Sequence, residues 1–245
     1  MTSQPEQGQL RFYIAHPHEC AYLPDREATM VLADPSFPKS TSIYSVLIAN
    51  GFRRSGEMIY RPLCDGCQSC VPVRVPVRSF RARRSQRRAW QRNRDLEVGV
   101  LPEPLTDETY GLYRRYINTR HAGGSMEDPT REAYVDFLTS AWCDTRFFTF
   151  RAQGQLLAVS VVDRVEDALS AVYTFFEPEE GQRSLGVYTV LWTIEQARRE
   201  GLDWLYLGYW IRDCQKMSYK REYQPQQHLR GQRWNPIDDR RPPLS

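Results

Sequence analysis

The sequence has no apolar run near the roughly 20 residues that a membrane-crossing helix needs. Met1 to Leu10 is polar, with no basic patch leading into an apolar stretch, so no secretory signal is read there. These absences lead to the expectation of a cytoplasmic protein with no membrane partner. Lysine is nearly missing: Lys39, Lys216 and Lys220 are the only three among 33 Lys and Arg residues. Disulfides are not expected from the six cysteines of an intracellular chain. What is present suits a globular protein, with 41% hydrophobic and 12% aromatic residues. A length of 245 residues allows one large domain or two modest ones.

The net charge of +3 is unevenly spread. Between Gly51 and Arg94 stand twelve arginines and only two acids, Glu57 and Asp65. Such segregation calls for an anionic partner on one face. Up to Val77 the chain is short-segmented and rich in Pro, Gly and Cys. A helix is expected over Ser40–Asn50, with Thr41 or Ser42 as N-cap and Ile43, Val46 and Leu47 inward. A hairpin is expected over Phe52–Tyr60, and extended pieces around Pro72 and Pro76. Helices follow over Arg81–Asp95, from Thr106, and over Thr130–Trp142. Strands are expected at Arg146–Arg151, Leu156–Val162 and Leu169–Phe176, then a helix over Val187–Glu200 and a strand over Trp204–Ile211. The fold class is therefore α/β (α+β), with one crossover between strands. Residues 1–100 form an irregular cysteine-containing, Arg-rich region, 101–239 a second domain, and 240–245 a flexible tail.

Cys64, Cys67 and Cys70 form C-x2-C-x2-C, a spacing that lets thiolates converge on Zn²⁺ or an iron–sulfur cluster, with Cys20 as the fourth candidate. The bland alternative is a set of unrelated reduced thiols. Arg81, Arg84, Arg87, Arg88, Arg92 and Arg94 lie in a segment without interleaved acids, which favours phosphate over a merely solvated face. Trp90 can stack on a base there or anchor the helix. Arg183-Ser184-Leu185-Gly186 precedes a helix, whose first amides suit a phosphate. The pattern resembles the pyrophosphate loop of acetyl-CoA-dependent N-acetyltransferases, except that Tyr188 stands where a small residue is expected.

Taken together, Cys20-Ala-Tyr-Leu-Pro24, Gly51-Phe-Arg-Arg-Ser-Gly56, Tyr60 through Cys70, Ser85-Gln-Arg-Arg88, Arg120-His121 through Met126, Arg183 through Gly186, Tyr206 through Ile211 and Lys216-Met-Ser-Tyr-Lys220 resemble the aminoacyl-tRNA–protein transferases, in their short bacterial branch. The resemblance spans nearly the whole chain. It implies an acetyltransferase-like (GNAT-type) α/β domain reused to hold the aminoacylated end of tRNA. It implies aminoacyl-tRNA as co-substrate, with leucine passed from leucyl-tRNA to proteins beginning with Asp or Glu, which are thereby marked for the N-degron route. The related eukaryotic enzymes move arginine, and their N-terminal cysteines bind a metal or cluster.

An aminoacyl ester is already activated, so the chemistry strictly requires no cofactor. The acceptor's acidic side chain is expected to meet cations drawn from Arg53, Arg54, Arg78, Lys216 and Lys220. Tyr209 is a candidate to orient the amine or protonate the leaving oxygen, with a packed strand tyrosine as the alternative. His121 is a loop histidine that can serve as base or simply be exposed, and no base is assigned. The rival readings are an arginine donor, an acetyl-CoA-dependent acetyltransferase and a non-catalytic RNA-binding protein.

Overall fold

The computed structural model describes residues 9–120 and 127–237. The loop holding His121 and the tail 240–245 lie outside the described residues. The chain opens with β1 (Phe12–Ile14), the small hairpin β2 (His18–Glu19) and β3 (Glu27–Ala28), and β4 (Met30–Ala33). Helix α1 (Thr41–Ala49) lies within the expected span, but its N-cap is Ser40 rather than Thr41 or Ser42, the Ser40 hydroxyl accepting from the Ile43 amide at 3.3 Å. Its inner face is Tyr44, Leu47 and Ile48, while Val46 stays exposed. Strands β5 (Arg53–Ser55) and β6 (Met58–Pro62) complete a sheet of order β1-β4-β6-β5. At the β5–β6 turn, Gly56 donates its amide to Phe137 O at 2.9 Å. A side chain at residue 56 would collide with Asp136 O, so this approach needs glycine.

The larger sheet has eight strands in the order β14-β13-β7-β12-β11-β10-β9-β8. From the first hundred residues it takes β7 (Val71–Pro76) and β8 (Glu97–Val100), so it runs across the boundary expected at residue 100. Strand β7 is interior despite its two prolines. Val71, Val73, Val75 and Val77 alternate into the core, and β13 pairs only with Val73 and Arg74, between the prolines. Helix α2 (Arg84–Arg92) lies between β7 and β8 and is shorter than expected at both ends. It begins where the Gln86 carboxamide oxygen accepts from the Arg83 amide at 2.8 Å, which leaves Arg81 outside. Helices α3 (Asp107–Arg120) and α4 (Arg131–Leu138) cover one face of the sheet.

Strands β9 (Asp144–Ala152), β10 (Gln155–Arg164) and β11 (Ala168–Phe176) form the expected antiparallel run. A 3₁₀ segment, Pro178–Arg183, leads into α5 (Leu185–Arg199), which crosses to β12 (Trp204–Trp210). Strand β12 pairs with β11 in parallel, as the strand–helix–strand pattern requires. A second 3₁₀ segment, Gln215–Glu222, precedes the hairpin of β13 (Gln227–Arg230) and β14 (Arg233–Pro236). Helices α2 and α5 cover the other sheet face through a core that includes Tyr188, Leu191, Ile194 and Ala197.

Candidate functional site

The parallel pairing of β11 with β12 stops early. Only Ala168–Ser170 face Trp204–Tyr206, although both strands continue. Residues 171–174 of β11 are accordingly half-exposed, whereas Ala168–Ser170, which do pair with β12, are buried. The opening is entered by Arg53, from β5 of the smaller sheet. Its Nη2 donates to Ala171 O at 2.9 Å, and its guanidinium lies where a side chain at residue 208 would be. Gly208, at φ +77°, is the residue that permits this approach. Its role was legible only as a glycine interrupting a strand pattern.

Lys220 reaches the same place from the second 3₁₀ segment. Its Nζ donates to Tyr209 O at 2.6 Å, and the residue is 7% exposed. Burial, and then the charge of Arg53, lower its ammonium pKa to about 7. Among the described residues no carboxylate is one of the groups that act on it. Two basic side chains thus share one opening, with no carboxylate among the described residues paired to either. Tyr219, 45% exposed, stands within electrostatic reach of Tyr116, Arg53 and Arg120. Tyr116 in turn packs on Phe176 and Tyr173, with ring centroids 4.9 and 6.3 Å away. The opening therefore has a basic floor and an aromatic rim.

The other expected acceptor cations lie elsewhere. Arg54 is fully buried and paired through both oxygens of Asp163, at 2.7 Å each. It also donates to Leu138 O and Thr145 Oγ1 at 3.0 Å. It bolts the two sheets together and has no access to an acceptor. Arg78 lies beyond β7 near the opposite end of β12, paired with Asp203 at 3.3 Å. Lys216 is exposed on the 3₁₀ segment. Of the two readings offered for Tyr209, the packed strand tyrosine is the one its surroundings match. Its hydroxyl donates to Gly51 O at 2.8 Å inside the core, and burial holds its pKa well above the ordinary value. It braces β12 against the end of α1, and what it offers the opening is its backbone carbonyl.

On α2 the inward residues are Gln86, Ala89 and Asn93, which turns Arg84, Arg87, Arg88 and Arg92 outward. Arg84, Arg88 and Arg94 are exposed without a protein partner among the described residues. Arg81 donates to Arg78 O at 3.1 Å, and Arg87 to Ala82 O at 2.6 Å. Arg92 ties α2 to the start of α5 through Gln182 O at 2.6 Å and Ser184 Oγ at 3.2 Å. Arg183 makes two 2.9 Å bonds to Asp95. It is thus a clamp between α2 and α5, with its charge already matched. Gly186 packs its Cα face against Phe176, where an added Cβ would sit 3.1 Å from the ring. Trp90 anchors α2 by packing on Tyr188, centroids 5.3 Å apart.

Cys20, Cys64, Cys67 and Cys70 all line one cavity of about 400 Å³, together with Tyr22, Tyr60 and Tyr209. Burial first, and then the neighbouring thiols, push the Cys70 thiol up to about 12. Cys67 is lowered by its hydrogen bond with Ser69. The donor atoms suit a thiophilic metal, but among the described residues no set of three or more His, Cys, Asp or Glu converges to hold one.

Residues 18–88 match the family described as arginine-tRNA-protein transferase, N terminus, and residues 108–230 its C terminus. The chain is 52% identical to the aspartate/glutamate leucyltransferase of Teredinibacter turnerae (strain ATCC 39867 / T7901), over 94% of this chain and 96% of that one. It is 48% identical to the protein of the same name from Pseudomonas fluorescens (strain Pf0-1), over 94% and 97%. Among solved structures, FemX is similar at a TM-score of 0.46 and 12% identity, over 77% of this chain and 65% of that one.

Proposed function

This chain belongs to the arginine-tRNA-protein transferase family, and we propose that it works as that family's leucine-transferring branch does. It is an aminoacyltransferase that moves leucine from leucyl-tRNA to the N-terminal amine of proteins beginning with Asp or Glu. The added leucine marks those proteins for the N-degron route. The name shared by relatives about half identical over nearly the full chain supports leucine as donor, although the family carries arginine in its description.

The observation that carries the acceptor side is the uncompensated pair of Arg53 and Lys220 at the opening between β11 and β12. A carboxylate entering there supplies the missing counter-charge. The uncharged amide of Asn or Gln cannot, and leaves the Arg53 guanidinium without a counter-charge. The exposed arginines of α2 support a tRNA path along that helix towards the start of α5. Because the aminoacyl ester is already activated, holding the amine against its carbonyl accounts for much of the rate. No helix among the described residues is long and apolar enough to cross a membrane. We place the work in the cytoplasm, where charged tRNA is found.

The test is a transfer assay offering leucyl-tRNA and, separately, arginyl-tRNA, with peptides led by Asp, Glu, Asn or Lys. Leucine on the Asp and Glu peptides alone is the expected result. Arginine on the same peptides keeps the acceptor site and changes the donor. Transfer to Asn peptides at the Asp rate contradicts the cation-pair reading.

A further inference from the structure

We propose that Lys220 is the proton acceptor of the transfer, and that the acceptor's own carboxylate switches it into that role. The proposal rests on the reading that Arg53 and Lys220 receive that carboxylate. Nζ has three hydrogen-bonding positions as an ammonium, yet among the described residues one acceptor faces it, Tyr209 O at 2.6 Å. Among the described residues the groups that act on it are Arg53 from β5, Cys214 at the start of its own segment, Cys70 ahead of β7, and the Tyr219 ring at 5.9 Å. None is a carboxylate. With the opening empty, burial and Arg53 therefore keep a substantial share of Lys220 as the neutral amine near pH 7, where an ordinary lysine is almost wholly ammonium.

A carboxylate that settles against Arg53 reverses this balance, because it pairs with an ammonium at Lys220. The nearest proton is then on the α-ammonium of the same acceptor residue. An N–H bond of that ammonium breaks and an Nζ–H bond forms, which leaves a lone pair on the α-nitrogen. That nitrogen attacks the ester carbonyl carbon. The C–N bond forms, the bond from carbonyl carbon to ribose oxygen breaks, and a proton of the attacking nitrogen passes to the departing oxygen. Lys220 returns its proton to water when the acidic residue leaves. One proton is thus released per peptide bond made. An Asn-led or Gln-led peptide has the same amine but lacks the group that turns Lys220 into an acceptor, so discrimination falls on kcat as well as on KM.

The test is steady-state leucyl transfer to a Glu-led peptide between pH 6 and 9, with a Gln-led peptide as control. The enzymes compared are the wild type, Lys220→Arg and Lys220→Met, with folding checked by circular dichroism. Lys220→Arg keeps a cation but cannot accept a proton. It is expected to hold KM within about threefold and to lose about 100-fold or more in kcat at pH 7. Its rate should climb about tenfold per pH unit until the peptide amine is itself neutral near pH 8. Lys220→Met is expected to raise KM as well. The wild type read alone, which covers the case of an unfolded variant, should keep kcat level from pH 7 to 9. A wild-type kcat that climbs tenfold per unit across pH 7–8 overturns the proposal, as does a Lys220→Arg enzyme altered in KM alone. Equal transfer to Glu-led and Gln-led peptides would instead bring down the cation-pair reading beneath it.

Discussion

The guanidinium of Arg53 and the bare Cα of Gly208 share one space: the arginine crosses from the smaller sheet, and β12 makes room for it by carrying no side chain there at φ +77°. Gly208→Ala should expel the guanidinium. The positive φ alone should cost about 1–2 kcal/mol of stability. Misplacing the cation should lower transfer by about 100-fold. Urea denaturation and initial rates on one preparation measure both, and an unchanged rate would show that Arg53 is not needed where it lies.

Its neighbour Arg54 should behave oppositely. Asp163→Ala leaves a fully buried guanidinium without its partner, which should destabilise the fold by about 3–5 kcal/mol. Arg53→Met should cost about 1 kcal/mol, the value of one hydrogen bond. Thermal and denaturant unfolding of the two variants should therefore separate adjacent residues that the sequence alone places in one group.

That grouping shows where the sequence stops being informative. The run β9–β10–β11, helix α5 and strand β12 were legible because their apolar periods are long and uninterrupted. Strand β7 was legible only as extended pieces, because its prolines argue against an interior place until β13 is seen to pair between them. The hairpin of β13 and β14 has no apolar alternation to announce it. Within the site, alternation along β5 sends Arg53 and Arg54 to opposite sides, and nothing in the sequence says which side holds Asp163. Tyr209 draws attention in the sequence for its side chain, whereas its carbonyl is what meets Lys220.

The arginines on and around α2 should also divide. Replacing Arg84, Arg88 and Arg94 together by Gln removes exposed charges that have no partner among the described residues. It should weaken tRNA binding and flatten its salt dependence, by about 0.7–0.9 in log–log slope for each phosphate no longer neutralised. Arg183→Ala breaks the pair with Asp95 and should instead loosen α2 from α5. Binding titrations at several salt concentrations distinguish the two effects.

The thiols should differ in rate. Under native conditions Cys20, Cys64, Cys67 and Cys70 should alkylate ahead of the buried Cys143 and Cys214. Cys67 should lead and Cys70 lag within the four, following their shifted acidities. Peptide mapping after timed iodoacetamide treatment reads this order. Protection of all four together, in protein isolated with iron or zinc, would mean that the set closes around a metal after all.

The most direct test of the account compares kcat/KM for leucyl transfer to Asp-led and Asn-led peptides, in the wild type and in Arg53→Met. If the cations at the opening read the acceptor's charge, the variant loses its rate on the Asp peptide selectively, and the Asp/Asn ratio falls towards one. Equal losses on both peptides, with the ratio unchanged, would contradict it.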